Sequence, residues 1–163
     1  MGYWGYIVAA KDERPLNDIP ELATFGDDYV KVEPLHGGWQ QAWVAGASDD
    51  PLVGVEALAR ATDAPAIGAF ILDSDCGPVA ATTPSGAKWA ATLAKATAIG
   101  DYQMPDDGVS ADAAMQSLRL WAEQAGLQTD IDLMRKALDE NALGPEHLFG
   151  LLLEAMGIAP QQH

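Results

Sequence analysis

The chain has 163 residues and a mass of 17.2 kDa, with 24 acidic against 9 basic side chains, a formal charge of -15 and a pI near 4.2. At 48% hydrophobic and 20% charged, it is long enough to bury about 70% of its unfolded surface without a structural metal or disulfide. Nine basic residues spread over an acidic chain cannot neutralise a run of phosphates, which excludes nucleic acid as the expected ligand and anionic membrane surfaces with it.

The acid is no detachable tail, because thirteen acidic against six basic residues fall in 1–95 and eleven against three in 96–163. No apolar run approaches the ~20 residues that span a bilayer. The single Cys76 cannot form an intramolecular disulfide, and Met1 to Pro15 lacks the basic start and apolar run of a signal peptide. A cytoplasmic chain is expected, one domain over 1–163 with a sheet part over 1–94 and a helical part over 110–158.

Tyr3 to Ala10 is apolar on both alternating faces and reads as a strand central in a sheet. Leu16 to Phe25, bracketed by Pro15 and Pro20, has room for one or two helical turns. A Gly26-Asp27-Asp28 turn leads into an alternating strand, Tyr29 to Leu35. Gly37-Gly38 supplies a hairpin turn, because glycine takes positive φ freely, and Trp39 to Ala45 returns with Trp39 and Trp43 on one face. Asp50-Pro51 starts a helix with Leu52, Val55, Leu58 and Ala59 inward, ended by Ala64-Pro65. Ala66 to Leu72 is a second doubly apolar strand, and Val79 to Thr82 and Ala87 to Leu93 continue it as an antiparallel meander across turns at Asp73–Pro78 and Pro84-Ser85-Gly86.

Lys95 to Val109 reads as a linker, after which the period becomes helical. Ser110 caps Ala111 to Ala125, and Gly126 ends it. Thr129 caps a shorter helix carrying Asp132–Lys136 and Lys136–Glu140 pairs, closed by Asn141. Gly144-Pro145 starts a third helix, and Gly157-Ile158 supplies a Schellman-type end. Strand, short helix, strand, strand, helix, strand is the ferredoxin-like order, here extended by a hairpin and a C-terminal three-helix segment. The prediction is an α+β fold with a largely antiparallel sheet, helices on one face, and the other face free for Trp, Tyr and polar residues.

Phe70 to Asp75 ends an apolar strand in two carboxylates, Asp73 and Asp75, separated by one residue. Such a pair can grip Mg²⁺ or Mn²⁺, and the segment resembles the opening motif of haloacid-dehalogenase-like phosphatases, in which the first Asp attacks phosphorus and the second moves the proton. Gly100-Asp101 with Asp106 is similar to their late acidic motif. Gly77, however, stands where that family has threonine, and the 25 residues between Asp75 and Asp101 are too few for the crossovers of a parallel sheet. That family is set aside, as are glycosyltransferases with a DxD triplet, whose nucleotide-binding domain does not fit in this length. The favoured reading is a loop between antiparallel strands whose Asp and Ser side chains bond nearby backbone N–H groups. The alternative is a divalent-metal-dependent hydrolase or phosphatase using Asp73 and Asp75, completed by Asp101 or Asp106.

Cys76 is nucleophilic only as thiolate, which Asp73 and Asp75 beside it disfavour. His36, His147 and His163 have no zinc spacing with it, and neither a G-x-S-x-G elbow nor a glycine-rich phosphate loop is present. No cofactor is expected. Trp4, Trp39, Trp43, Trp89 and Trp121 with Tyr3, Tyr6 and Tyr29 exceed what a small core usually needs, and Trp and Tyr are enriched at binding hot spots. Trp39 and Trp43 on an uncovered sheet face, edged by Asp27, Asp28 and Glu33, would suit a basic protein partner.

Met1-Gly2-Tyr3-Trp4-Gly5, Leu72-Asp73-Ser74-Asp75, Thr83-Pro84-Ser85-Gly86 with Trp89, and Leu153-Glu154-Ala155-Met156-Gly157-Ile158 together resemble a family of small acidic proteins of actinobacterial type. The resemblance spans most of the chain and implies no catalytic residues. Some small acidic bacterial proteins are immunity proteins against toxins, and the analogy of size and charge extends to this chain. The expectation is a non-enzymatic, immunity- or antitoxin-like module that sequesters a basic protein.

Overall fold

The computed structural model describes residues 2–26, 28–46, 50–139 and 144–158, leaving out the side chains of Tyr29 and Val30. Its centre is a six-stranded sheet whose neighbours all pair antiparallel: β1 (Gly5–Lys11), β2 (Asp28–Pro34), β3 (Trp39–Ala45), β4 (Ala66–Ile71), β5 (Gly77–Thr82) and β6 (Lys88–Leu93), in the spatial order β2-β3-β1-β4-β5-β6. The two strands that the sequence makes apolar on both faces lie in mid-sheet. Every residue of β1 but Lys11, and every residue of β4, is buried. β3 lies between β1 and β2, and β1 between β3 and β4, the split arrangement of a ferredoxin-like unit; β5 and β6 prolong it as the expected meander.

Both faces are covered, which corrects the one-sided arrangement expected from the element order. Helix α1 (Pro51–Thr62) and two short 3-10 segments, Leu16–Asp18 and Pro20–Thr24, lie over Tyr6, Val8, Ala42, Val44 and Phe70. Helices α2 (Lys95–Tyr102), α3 (Ala111–Gln124), α4 (Ile131–Asp139) and α5 (Pro145–Ala155) pack over Ile7, Ala9, Ile67, Ala69 and Val79. Alternation along each strand sends successive side chains to the two cores, and in a doubly covered sheet both sets are apolar. The connection after β1 stays 3-10 because Pro20 has no N–H with which to continue a helix from Leu16. Gln40 fastens it: its amide donates to Asp12 O (3.0 Å) and Arg14 O (2.7 Å) and accepts from Leu16 N (3.0 Å).

Helix ends follow local chemistry closely. Asp50 caps α1 through Leu52 N (3.0 Å), and Ser110 caps α3 through Ala113 N (3.0 Å). Gly157 at φ 78 closes α5 with the paired bonds Gly157 N to Glu154 O (3.1 Å) and Ile158 N to Leu153 O (2.8 Å) of a Schellman motif. Gly37 and Gly38 both take positive φ, 71 and 85, in a three-residue loop closed by Leu35 N to Trp39 O at 2.8 Å. Three expectations are corrected. Residues 95–109 are not a plain linker, since α2 occupies the first half; Ala98 is buried there, and small alanines hid the helical period. The cap of α4 is Asp130, whose Oδ1 accepts from Leu133 N (3.2 Å), one residue past Thr129. The ion pair on that helix joins Asp132 to Arg135 (3.7 Å) instead of Lys136, and Glu140 and Asn141 lie outside the described residues.

Two indoles tie the helical layer to the sheet. Trp89 Nε1 of β6 donates to Ala114 O of α3 (3.1 Å), and Trp121 Nε1 of α3 donates back to Ala87 O (3.2 Å). Among the described residues no helix is long and apolar enough to cross a membrane.

Candidate functional site

The Asp73-Ser74-Asp75 segment is the tight turn expected between antiparallel strands. Asp73 and Ser74 both take left-handed φ, 51 and 56, and the turn closes through Asp75 N to Leu72 O (2.9 Å) and Leu72 N to Cys76 O (2.8 Å). Instead of bonding nearby backbone N–H groups, as the sequence led one to expect, its side chains are engaged with three other parts of the chain. Asp73 Oδ1 accepts from Gly2 N (2.7 Å), while Ser74 exchanges bonds with Tyr3, receiving Tyr3 N at Oγ (2.8 Å) and donating its own N–H to Tyr3 O (3.0 Å). Ser74 Oγ also donates to Glu146 at the start of α5. Asp75 Oδ2 accepts from the Tyr102 hydroxyl of α2 (2.8 Å), which pushes that phenol up to about 12. The two carboxylates thus turn to different elements, Asp73 to the N-terminal segment and Asp75 to α2.

Among the described residues no three His, Cys, Asp or Glu side chains form a metal-holding group. Asp101, on α2, lies close enough to Cys76 to act on it electrostatically, whereas Asp106 is held elsewhere, by Lys95 (3.3 Å). Cys76 is buried, and its thiol is pushed up to about 11, chiefly by burial and then by Asp75 and Asp101. The neighbouring-charge argument from sequence therefore has the right sign, but burial is the larger cause.

Trp39 and Trp43 do share a face, yet it is the face under the helical layer. Trp39 is 5% exposed and belongs to the core, so it offers a partner almost no surface. Trp43 is half-buried at the margin, where helical cover thins towards β2. Its indole donates to Glu33 Oε1 (3.0 Å), Tyr3 packs edge-on at 5.2 Å, and the Lys31 ammonium lies 4.8 Å from its ring centre. Glu33 is shared with Gln41 (3.1 Å) and Lys31 (3.8 Å). Asp28 is exposed, and Asp27 lies outside the described residues. The exposed indole is Trp4, at 46%, just before β1. Of the five tryptophans, three are thus spent on packing, because an alternating strand cannot say which of its faces another layer will cover.

A second feature went unread in the sequence. Between β6, α2, the loop 103–110 and the adjoining ends of α3 and α4 runs a groove of about 410 Å³. Ala90, Thr92, Val109 and Leu138 line it with Asp106, Asp107 and Asp139. Lys95, at the start of α2, reaches across to Asp106 and Asp107 and donates to Val109 O (2.7 Å). Asp106 is held below its ordinary range first by the N–H of Gly108 and then by the Lys95 ammonium, Asp107 first by the ammonium and then by the N–H of Val109, and the carboxylates in turn raise Lys95. The sequence signal was the Asp106-Asp107 doublet eleven and twelve residues after Lys95, which a linker reading dismisses. No protein-family model, curated protein or solved structure matches the chain.

Proposed function

We propose that this chain is a non-enzymatic, acidic protein-binding module that sequesters a basic protein partner, in the manner of an immunity or antitoxin protein. The observation that supports it is charge left uncompensated at the surface. Among the described residues the ion pairs engage Asp12, Glu33, Glu56, Asp106, Asp107, Asp112 and Asp132, while Glu13, Asp18, Asp28, Asp63, Glu123 and Glu154 are exposed outside those pairs. A field of one sign steers an oppositely charged partner and repels nucleic acid and anionic membrane.

The test is capture of proteins from the native cell on the immobilised chain at low salt, followed by reconstitution with each purified candidate. The expected result is a stoichiometric complex with a basic protein whose affinity falls steeply as salt rises. Recovery of no such complex overturns the reading. The metal-hydrolase alternative has its own measurement: Asp73→Asn with Asp75→Asn would abolish Mg²⁺ or Mn²⁺ binding and phosphatase turnover if those carboxylates were catalytic, and would leave partner capture intact on the reading proposed.

A further inference from the structure

The two free edges of the sheet are built differently, and the difference singles out β6. At β2 the register breaks between Tyr29 and Lys31, Lys31 is exposed, and Pro34 ends the strand. Since Leu35 bonds inward to Trp39, Pro34 occupies an outward position and has no N–H to offer there. Bulge, lysine and proline are the usual devices against pairing by another strand. β6 also carries an exposed lysine, Lys88, at its first position, where it pairs with Glu56 of α1 (3.3 Å), but it has neither proline nor bulge and runs in unbroken register against β5. Thr83 N bonds Ala87 O (3.0 Å), so Ala87, Trp89, Ala91 and Leu93 turn their backbone groups to β5 and Lys88, Ala90 and Thr92 turn theirs outward. None of those three has a backbone hydrogen-bond partner on that side among the described residues.

Ala90 and Thr92 face the groove already described, so the unpaired edge and the acidic rim are one surface. The rim holds an ammonium, that of Lys95, between Asp106 and Asp107, and Val109 beside it is 44% exposed. Unpaired N–H and C=O groups of a strand are best satisfied by an extended backbone, and the carboxylates select what its side chains carry. A second copy of the chain would bring its own excess of acid to the same rim. We infer that the outer edge of β6 is a docking strip for an extended, Lys- or Arg-bearing segment of a basic protein, which adds as a seventh strand with its cations towards Asp106 and Asp107, shared there with Lys95. This rests on the partner-binding reading above and gives it a location and a mode.

The full chain, isotopically labelled, is titrated at low salt with an octapeptide of alternating lysine and valine in three forms: unmodified, N-methylated at the lysines, and N-methylated at the valines. In an added strand the N–H groups of all residues on one face point the same way, so one methylated form blocks the edge and the other leaves it free. The expected result is perturbation of the Lys88, Ala90 and Thr92 amides, with one methylated form binding about tenfold more weakly and the other like the parent. Ala90→Pro, at an exposed position, loses the peptide to a similar extent. Equal binding by all three forms overturns strand addition, and so does binding of lysozyme, a folded basic protein, without binding of the peptide; either leaves the acidic module standing. Failure of both probes to bind overturns the module as well. A concentration-dependent dimer of the chain alone that perturbs the same amides assigns the edge to a second copy and overturns the inference.

Discussion

Gly77 and Cys76 sit where the turn hands the chain to β5, and each is constrained by its surroundings. A Cβ on Gly77 would lie 2.0 Å from Phe70 O, a backbone atom that cannot swing aside. The threonine that a phosphatase motif carries at this place has no room here. Gly77→Ala is expected to cost about 1–3 kcal/mol by overpacking, read as a lowered denaturation midpoint with unchanged slope. For Cys76, whose thiol is raised from 9.0 to about 11, the folded state holds its proton more tightly than the unfolded chain. The resulting stabilisation is fully present below pH 9.0 and is lost as pH rises towards 11. Alkylation by iodoacetamide at pH 8 should be slow in the native protein and fast in urea; rapid native reaction would mean that the sulfur is reached without unfolding.

At the scale of elements, attachment of α3 to the sheet depends on the reciprocal indole bonds of Trp89 and Trp121. Trp121→Phe keeps most of the packing and deletes one donor, for an expected loss of about 1 kcal/mol, whereas Trp121→Ala also empties a buried site and should cost about 3–5 kcal/mol. Hydrogen exchange distinguishes their effects. The alanine variant should lose protection first in α3 and α4 and keep it in β1 and β4, which two cores enclose. Caps were legible because they are local: Asp50, Ser110 and Gly157 act within one turn of their own positions. Helix α2 was not, because its alanines and glycine carry no strong period and its burial comes from elements distant in sequence.

For the whole molecule, 24 acidic against 9 basic side chains make self-repulsion the largest long-range electrostatic effect. Raising NaCl from a few millimolar to physiological strength should increase the melting temperature by a few degrees, despite weakening surface pairs. A fall would mean that local pairs outweigh the net field. On the acid side, Asp106 and Asp107 lie below their ordinary 3.8 in the folded chain, so the stabilisation they bring is present above that value and lost as pH falls beneath it. Both are exposed, and loosening of the loop 103–110, followed by the amide of Val109, is the expected readout.

Strand periods, the helix periods other than that of α2, turn glycines, the antiparallel meander and the acidic excess are properties of neighbouring residues or of composition, so the amino-acid order alone was enough to determine them. Which face of β3 a helix would cover, which tryptophans would be withdrawn into the core, and that Lys95 would meet Asp106 and Asp107 beside an unpaired strand were decided only in three dimensions. The physical reason is that alternation tells which side chains share a face but not what lies opposite, and a groove exists only once distant elements have packed.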